Sequence, residues 1–98
     1  MIGYMTAKSG LHGMTSGLAR ELGPHGVRVV GVLPGAIETE RQMRLWRTPE
    51  SDVTTIAEQA IAVRLDGWDV ANLVLFLASD AARGCTARFY AVDAGLSR

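Results

Sequence analysis

A tyrosine and a lysine four residues apart, Tyr4 and Lys8, are the side chains in this chain best suited to chemistry. On a helix that spacing places both on one face, with Cβ atoms about 6 Å apart. A phenol is a poor base near neutral pH, and an ammonium one turn away favours its ionised form. The two together suit the transfer of a proton to or from a substrate oxygen. Taken alone the spacing is weak, because an exposed Tyr and Lys one turn apart usually only share a helix surface. A second stretch, Pro34-Gly35-Ala36-Ile37-Glu38-Thr39, follows an apolar, β-branched run. Ligands of open α/β sheets bind beyond the carboxyl ends of strands, and Pro34 to Thr39 leaves such an end. On their own, Pro34-Gly35 reads equally as a strand-ending turn and Thr39 as a helix cap.

Other reactive side chains carry less. His12 and His25 have no metal-ligand spacing to a cysteine or carboxylate cluster, and His25 sits in a Gly-Pro-His-Gly turn. The one cysteine, Cys85, reads as a small, partly buried side chain. Trp46 and Trp68 serve either a substrate pocket or ordinary packing. Arg41, Arg44 and Arg47 form a basic helical side that reads as solvated.

The elements that must hold these residues follow from periodicity. Ala7, Leu11, Met14, Leu18 and Leu22 form one stripe of an amphipathic helix, Ile2 to Leu22, about 30 Å long. Gly23-Pro24 stops it, with glycine expected to take the left-handed turn. Val27 to Leu33 is nearly continuous in apolar residues, which suits a parallel strand covered on both faces. Thr39 and Gln42 form a capping-box pair for a short helix to about Trp46. Val53, Ile56, Ala57, Ala60 and Ile61 mark a further helical face. Asp66 and Asp69 cap a segment from Trp68 to Ser79 that is apolar nearly all round. A closing strand, Arg88 to Val92, ends in Asp93-Ala94-Gly95. Strands separated by helical crossovers imply parallel pairing, Val27–Leu33 beside Phe89–Val92, with helices on opposite faces. Two strands alone make a marginal sheet, so the pattern reads as the edge of a larger one.

Composition bounds the rest. At 98 residues the chain is one small domain at most. A chain of this size buries roughly 60–65% of its unfolded surface. Ten basic and ten acidic residues cancel, and no Lys/Arg cluster forms a nucleic-acid or membrane footprint. A single cysteine excludes an internal disulfide and suits a reducing cytoplasm. The longest apolar run, Leu73 to Ala78, is too short to span a bilayer. No basic n-region or apolar core of a signal peptide opens the sequence.

Taken jointly and in order, these motifs are specific. Tyr4-Met5-Thr6-Ala7-Lys8-Ser9-Gly10-Leu11, followed by Thr15, Leu18, Ala19, Glu21 and Leu22, is similar to the active-site helix of short-chain dehydrogenase/reductases. Val27-Arg28-Val29 running into Pro34-Gly35 and Thr39 resembles the family's strand and Pro-Gly-x-x-x-Thr turn. Asp69-Val70-Ala71, Leu75 to Asp80 and Val92-Asp93-Ala94-Gly95 resemble its closing helix and strand. The resemblance covers essentially the whole chain. It implies an α/β fold: the C-terminal part of a Rossmann-type doubly wound parallel sheet, two parallel strands with flanking helices. Residues 1–98 then correspond to the C-terminal part of that domain, without its N-terminal cofactor-binding half.

The resemblance also implies an activity, the NAD- or NADP-dependent interconversion of a small-molecule alcohol and its carbonyl. Tyr4 would be the general acid/base. Lys8 would hold the nicotinamide ribose hydroxyls and favour the phenolate. Pro34-Gly35 would lie against the nicotinamide, the backbone at Ile37 would bond its carboxamide, and Thr39 would contact the carboxamide or the phosphates. No metal is implied. The family's oxygen-polarising serine, its Gly-rich pyrophosphate turn and the residue that separates NAD from NADP have no counterpart in these residues. Ala87 and Ala94 stand where the family often has glycine. The expectation is a chain inactive by itself, associating with itself or with a complementary or full-length relative. Two alternatives are a non-catalytic module that oligomerises through the first helix and the closing helix and strand, and a truncated product without function.

Overall fold

The computed structural model describes residues 1–38 and 49–96. The short helix expected from Thr39 to Trp46, with Gln42 and the three arginines Arg41, Arg44 and Arg47, lies outside the described residues. The chain divides into two compact units: Met1–Val32 with Phe76–Tyr90, and Leu33–Leu75 with Ala91–Arg98.

The first unit is built on α1, Ile2–Leu22, with the bounds that the periodicity predicts. No proline precedes Pro24 and no β-branched run interrupts the helix. Its start is weakly held. Met1 offers no side-chain cap and the first turn has no acidic residue, so neither capping nor the helix dipole anchors it. The stop differs from expectation. Gly23 is right-handed (φ −54°) and opens a 3-10 turn, Gly23–His25. The left-handed residue is Gly26, at φ 77°. The turn lets Pro24 continue a helical path, and the reversal waits for the next glycine.

The buried seam of α1 is also not the apolar stripe. Thr15 (8% exposed) and Ala19 (4%) are buried, whereas Leu11, Met14, Leu18 and Leu22 are exposed. At about 100° per residue, the stripe's centre lies about 100° around the helix from Ala19. Small side chains let the helix backbone come close to its support. Periodicity told which residues share a face but not which face this chain covers.

A parallel pair of strands follows, β1 (Val30–Pro34) beside β4 (Arg88–Val92). In the first unit the Ala87 N–H donates to the Val29 carbonyl at 2.8 Å. The Val29 N–H itself donates to Thr86 Oγ1 at 3.1 Å. Arg28 sends its guanidinium to the Cys85 and Ser79 carbonyls, both at 3.3 Å. These side-chain bonds, with the Val27 N–H returning to the Leu22 carbonyl, explain why the regular ladder starts at Val30 and not at Val27.

The second unit contains two short strands that the sequence pattern did not show. They are β2 (Ile37–Glu38) and β3 (Leu65–Asp66), parallel and in register Ile37 to Leu65 and Glu38 to Asp66. Ile37 and Leu65 are both buried. Between them runs α2, Pro49–Glu58. It ends before Ala60 and Ile61, which the helical pattern had included. Gln59, buried, turns its Nε2 onto the Ile61 and Val63 carbonyls at 3.0 and 2.8 Å. The Ala60 and Ile61 amides donate to the Gly95 and Ala94 carbonyls instead of continuing the helix.

The last helix, α3 (Gly67–Ala78), is capped as expected. Asp66 Oδ1 accepts from the Trp68 amide at 2.9 Å and from the Asp69 amide at 3.4 Å, and Asp69 Oδ2 accepts from the Asp66 amide at 2.9 Å. That reciprocity is the capping-box arrangement. No helix among the described residues is long and apolar enough to cross a membrane.

Candidate active site

Tyr4 and Lys8 occupy the first two turns of α1, in the first unit. The helix brings them together as the spacing requires: Lys8 Nζ lies 5.6 Å from the centre of the Tyr4 ring. Both are exposed, Tyr4 at 61%, so phenol and ammonium are free to meet a ligand.

The same helical face continues to His12, Thr15 and Ala19. The His12 ring stacks on Phe89 of β4, centroids 4.0 Å apart and planes 22° from parallel. Phe89 in turn lies over Gly31 of β1. A Cβ built on that glycine would sit 2.5 Å from Phe89 Cε2. The sequence reading noted only that His12 lacks metal-ligand spacing, and so missed this contact. Its place four residues beyond Lys8 is the signal that puts it on the face of the pair.

In the second unit, Pro34 is the last residue of β1 and so belongs to the strand, not to a turn after it. Gly35 follows and donates its N–H to the Val92 carbonyl at 2.8 Å. A side chain there would meet Asp93, with Cβ and Cα at 2.7 and 2.8 Å, so the close approach of two backbones demands glycine. Ile37 buries its side chain in β2. Thr39 lies outside the described residues. Trp68 is 76% exposed beside the Asp66 cap, and Trp46 lies outside the described residues. Among the described residues no group of His, Cys, Asp and Glu could hold a metal ion.

Cys85 and Tyr90 form a small polar pair in the first unit. Their side-chain hydrogen bond, then burial, then the charge of Cys85 push the Tyr90 phenol above its ordinary range, against the opposing pull of Arg88 and Arg28.

Parallel strands joined through helices, with a Tyr–Lys pair on a helix face, define the class. A family model described as enoyl-(acyl carrier protein) reductase, of the short-chain dehydrogenase/reductase type, matches residues 2–97. The chain belongs to the short-chain dehydrogenase/reductases. It is 51% identical over 92 residues to D-xylose 1-dehydrogenase of Caulobacter vibrioides, covering 94% of this chain and 37% of that protein. It is 44% identical over 93 residues to a probable galactose dehydrogenase of Rhizobium meliloti, covering 95% of this chain and 36% of the relative. A solved 4-hydroxyisoleucine dehydrogenase complexed with NADH superimposes with a TM-score of 0.86 at 26% identity, covering 96% of this chain and 39% of that one. The chain thus spans somewhat over a third of the length of these relatives.

Proposed function

We propose that this chain carries the acid/base part of an NAD(P)-dependent dehydrogenase acting on the hydroxyl-bearing carbon of a small polyol, with an aldose as the first candidate. The observation that carries the reading is the exposed Tyr4–Lys8 pair on one face of α1. The sugar class rests on the two sugar dehydrogenases among its relatives.

A nicotinamide nucleotide suits the pair on α1, where Lys8 offers three donors for ribose hydroxyls. The bound nicotinamide would accept hydride from the substrate carbon or return it. In the oxidative direction Tyr4 Oη takes the proton of the substrate hydroxyl, and in the reductive direction it gives that proton back. The Lys8 ammonium stabilises the phenolate that each oxidative turnover requires. Ile37, through its backbone, and Thr39 are assigned to the carboxamide side of the cofactor.

The test is the reduction of NAD⁺ or NADP⁺ with D-xylose, D-galactose and simple alcohols. General acid/base catalysis is worth about 10²–10⁴-fold, so Tyr4→Phe should lower kcat by that amount without unfolding an exposed position. Unchanged turnover in Tyr4→Phe overturns the assignment. The 98 residues contain no Gly-x-x-x-Gly-x-Gly turn to hold a pyrophosphate. Produced alone they should give no turnover, because positioning of the reactants is worth about 7–11 kcal/mol. Activity should return with the complementary part of a relative, supplied in cis or as a second chain.

A second reading is favoured by the outward face of α1. Leu11, Met14, Leu18 and Leu22 form an exposed apolar stripe, and such stripes promote association. In this reading the chain is an interaction module that pairs through α1. Light scattering at tens of micromolar should then show dimers or larger species. A monomer at that concentration counts against it.

A further inference from the structure

We propose that His12 is a positioning residue: its stack on Phe89 fixes the rotation of α1 about its own axis, and so the direction in which Tyr4 and Lys8 point. The proposal rests on the acid/base reading of that pair.

The argument starts from helix geometry. At about 100° per residue, Lys8, His12, Thr15 and Ala19 fall within about 60° of one another, with Tyr4 about 40° further round from Lys8. The buried seam of the second half of α1 therefore continues into the reactive face of the first half. In that first half every residue from Met1 to Met14 is exposed. His12 is exposed like its neighbours, yet its ring reaches another element one turn beyond Lys8, in the stack on Phe89.

The buried residues further along the seam, Thr15 and Ala19, are both small. Small side chains permit close approach but present little leverage against rotation. A flat ring does better. Rolling the helix would break the near-parallel alignment of two rings 22° apart in plane. Phe89 cannot follow easily, because its ring already rests against Gly31. At the roughly 6 Å outer radius of a helix, a roll of about 20° carries a side-chain tip about 2 Å. A displacement of about 1 Å at a reacting group can cost on the order of 100-fold in rate.

The experiment compares His12→Ala, His12→Phe and Phe89→Leu in the 98-residue chain and in the active, complemented dehydrogenase. Residual dipolar couplings of the α1 amides, referenced to those of β4, read the rotation of the helix directly. Alanine at the exposed position 12 favours helix, so the variant keeps its fold. In His12→Ala and Phe89→Leu the couplings should shift in phase, and in His12→Phe they should match the parent. In turnover, His12→Ala should lower kcat about tenfold with KM for the sugar within about twofold, and His12→Phe should restore it. Couplings and kcat unchanged in His12→Ala would overturn the proposal. Failure of His12→Phe to restore kcat would also overturn it, since the imidazole itself would then be needed. Tyr4→Phe run in parallel separates the two readings: full activity there removes the acid/base assignment, while the couplings still decide whether His12 sets the helix.

Discussion

Phe89 lies so close over Gly31 that a Cβ on the glycine would fall 2.5 Å from Cε2, 2.6 Å from Cδ2 and 2.6 Å from Cζ. The same ring is stacked on His12, so a shift away from Gly31 would disturb that stack. Gly31→Ala should therefore destabilise by about 1–3 kcal/mol, the usual cost of overpacking. Urea unfolding of the two proteins measures the difference. An alanine tolerated at no cost would mean that the aromatic stack is loose.

The glycines of α1 should behave oppositely. Cβ atoms built at Gly10, Gly13 and Gly17 meet nothing within 4 Å. Glycine inside a helix costs about 1 kcal/mol relative to alanine. Gly10→Ala and Gly17→Ala should each raise stability by up to that amount, with higher helix content by circular dichroism. A loss of stability would show that these positions face a neighbour in solution.

Ala87 and Ala94 have positive φ, 61° and 54°. Left-handed backbone costs a residue with a Cβ about 1–2 kcal/mol, part of which glycine's greater freedom in the unfolded chain takes back. Ala94→Gly and Ala87→Gly should each gain about 0.5–1 kcal/mol, the net of those two effects. Thermal unfolding reads this as a Tm higher by about 2–8 °C. These are the two positions at which the sequence departs from the glycines its family often carries, and the backbone supplies the reason for those glycines.

The Tyr90 phenol is raised, first by its hydrogen bond with Cys85. The folded state thus holds the phenolic proton more tightly than the unfolded state does. Its contribution to stability is complete below the unfolded value of about 10 and is lost as pH rises through the higher folded value. A ¹³Cζ titration should place Tyr90 above 10, and Cys85→Ala should lower it. A native Tyr90 that titrates at or below 10 contradicts the hydrogen bond.

Much of the fold was legible in the chain. The bounds of α1, the closing strand from Arg88, the Asp66–Asp69 cap and the parallel pairing of the two longer strands all follow from local pattern. So does the meeting of Tyr4 with Lys8, because helical geometry alone enforces it. What escaped depends on partners distant in sequence. Val27 to Val29 have strand composition, yet Arg28 and Val29 are claimed by Ser79, Cys85 and Thr86. β2 and β3 are two residues each, too short for any period to register. The buried side of α1 escaped because the residues it buries, Thr15 and Ala19, are small and one is polar, so no hydrophobic period marks that face.

The first unit is assembled from two stretches, Met1–Val32 and Phe76–Tyr90. Its fastenings, Arg28 to the Ser79 and Cys85 carbonyls, span 51 and 57 residues. Contacts of such range form late, because the intervening chain must first be drawn together. During synthesis, α1 is made long before β4 exists. A glycine-rich helix of this length is marginal by itself. Tyr4 and Lys8 are therefore neighbours on a flickering helix from early on, but they acquire a fixed bearing only when Phe89 arrives. A nascent chain halted before residue 76 would carry both reactive side chains and no aim.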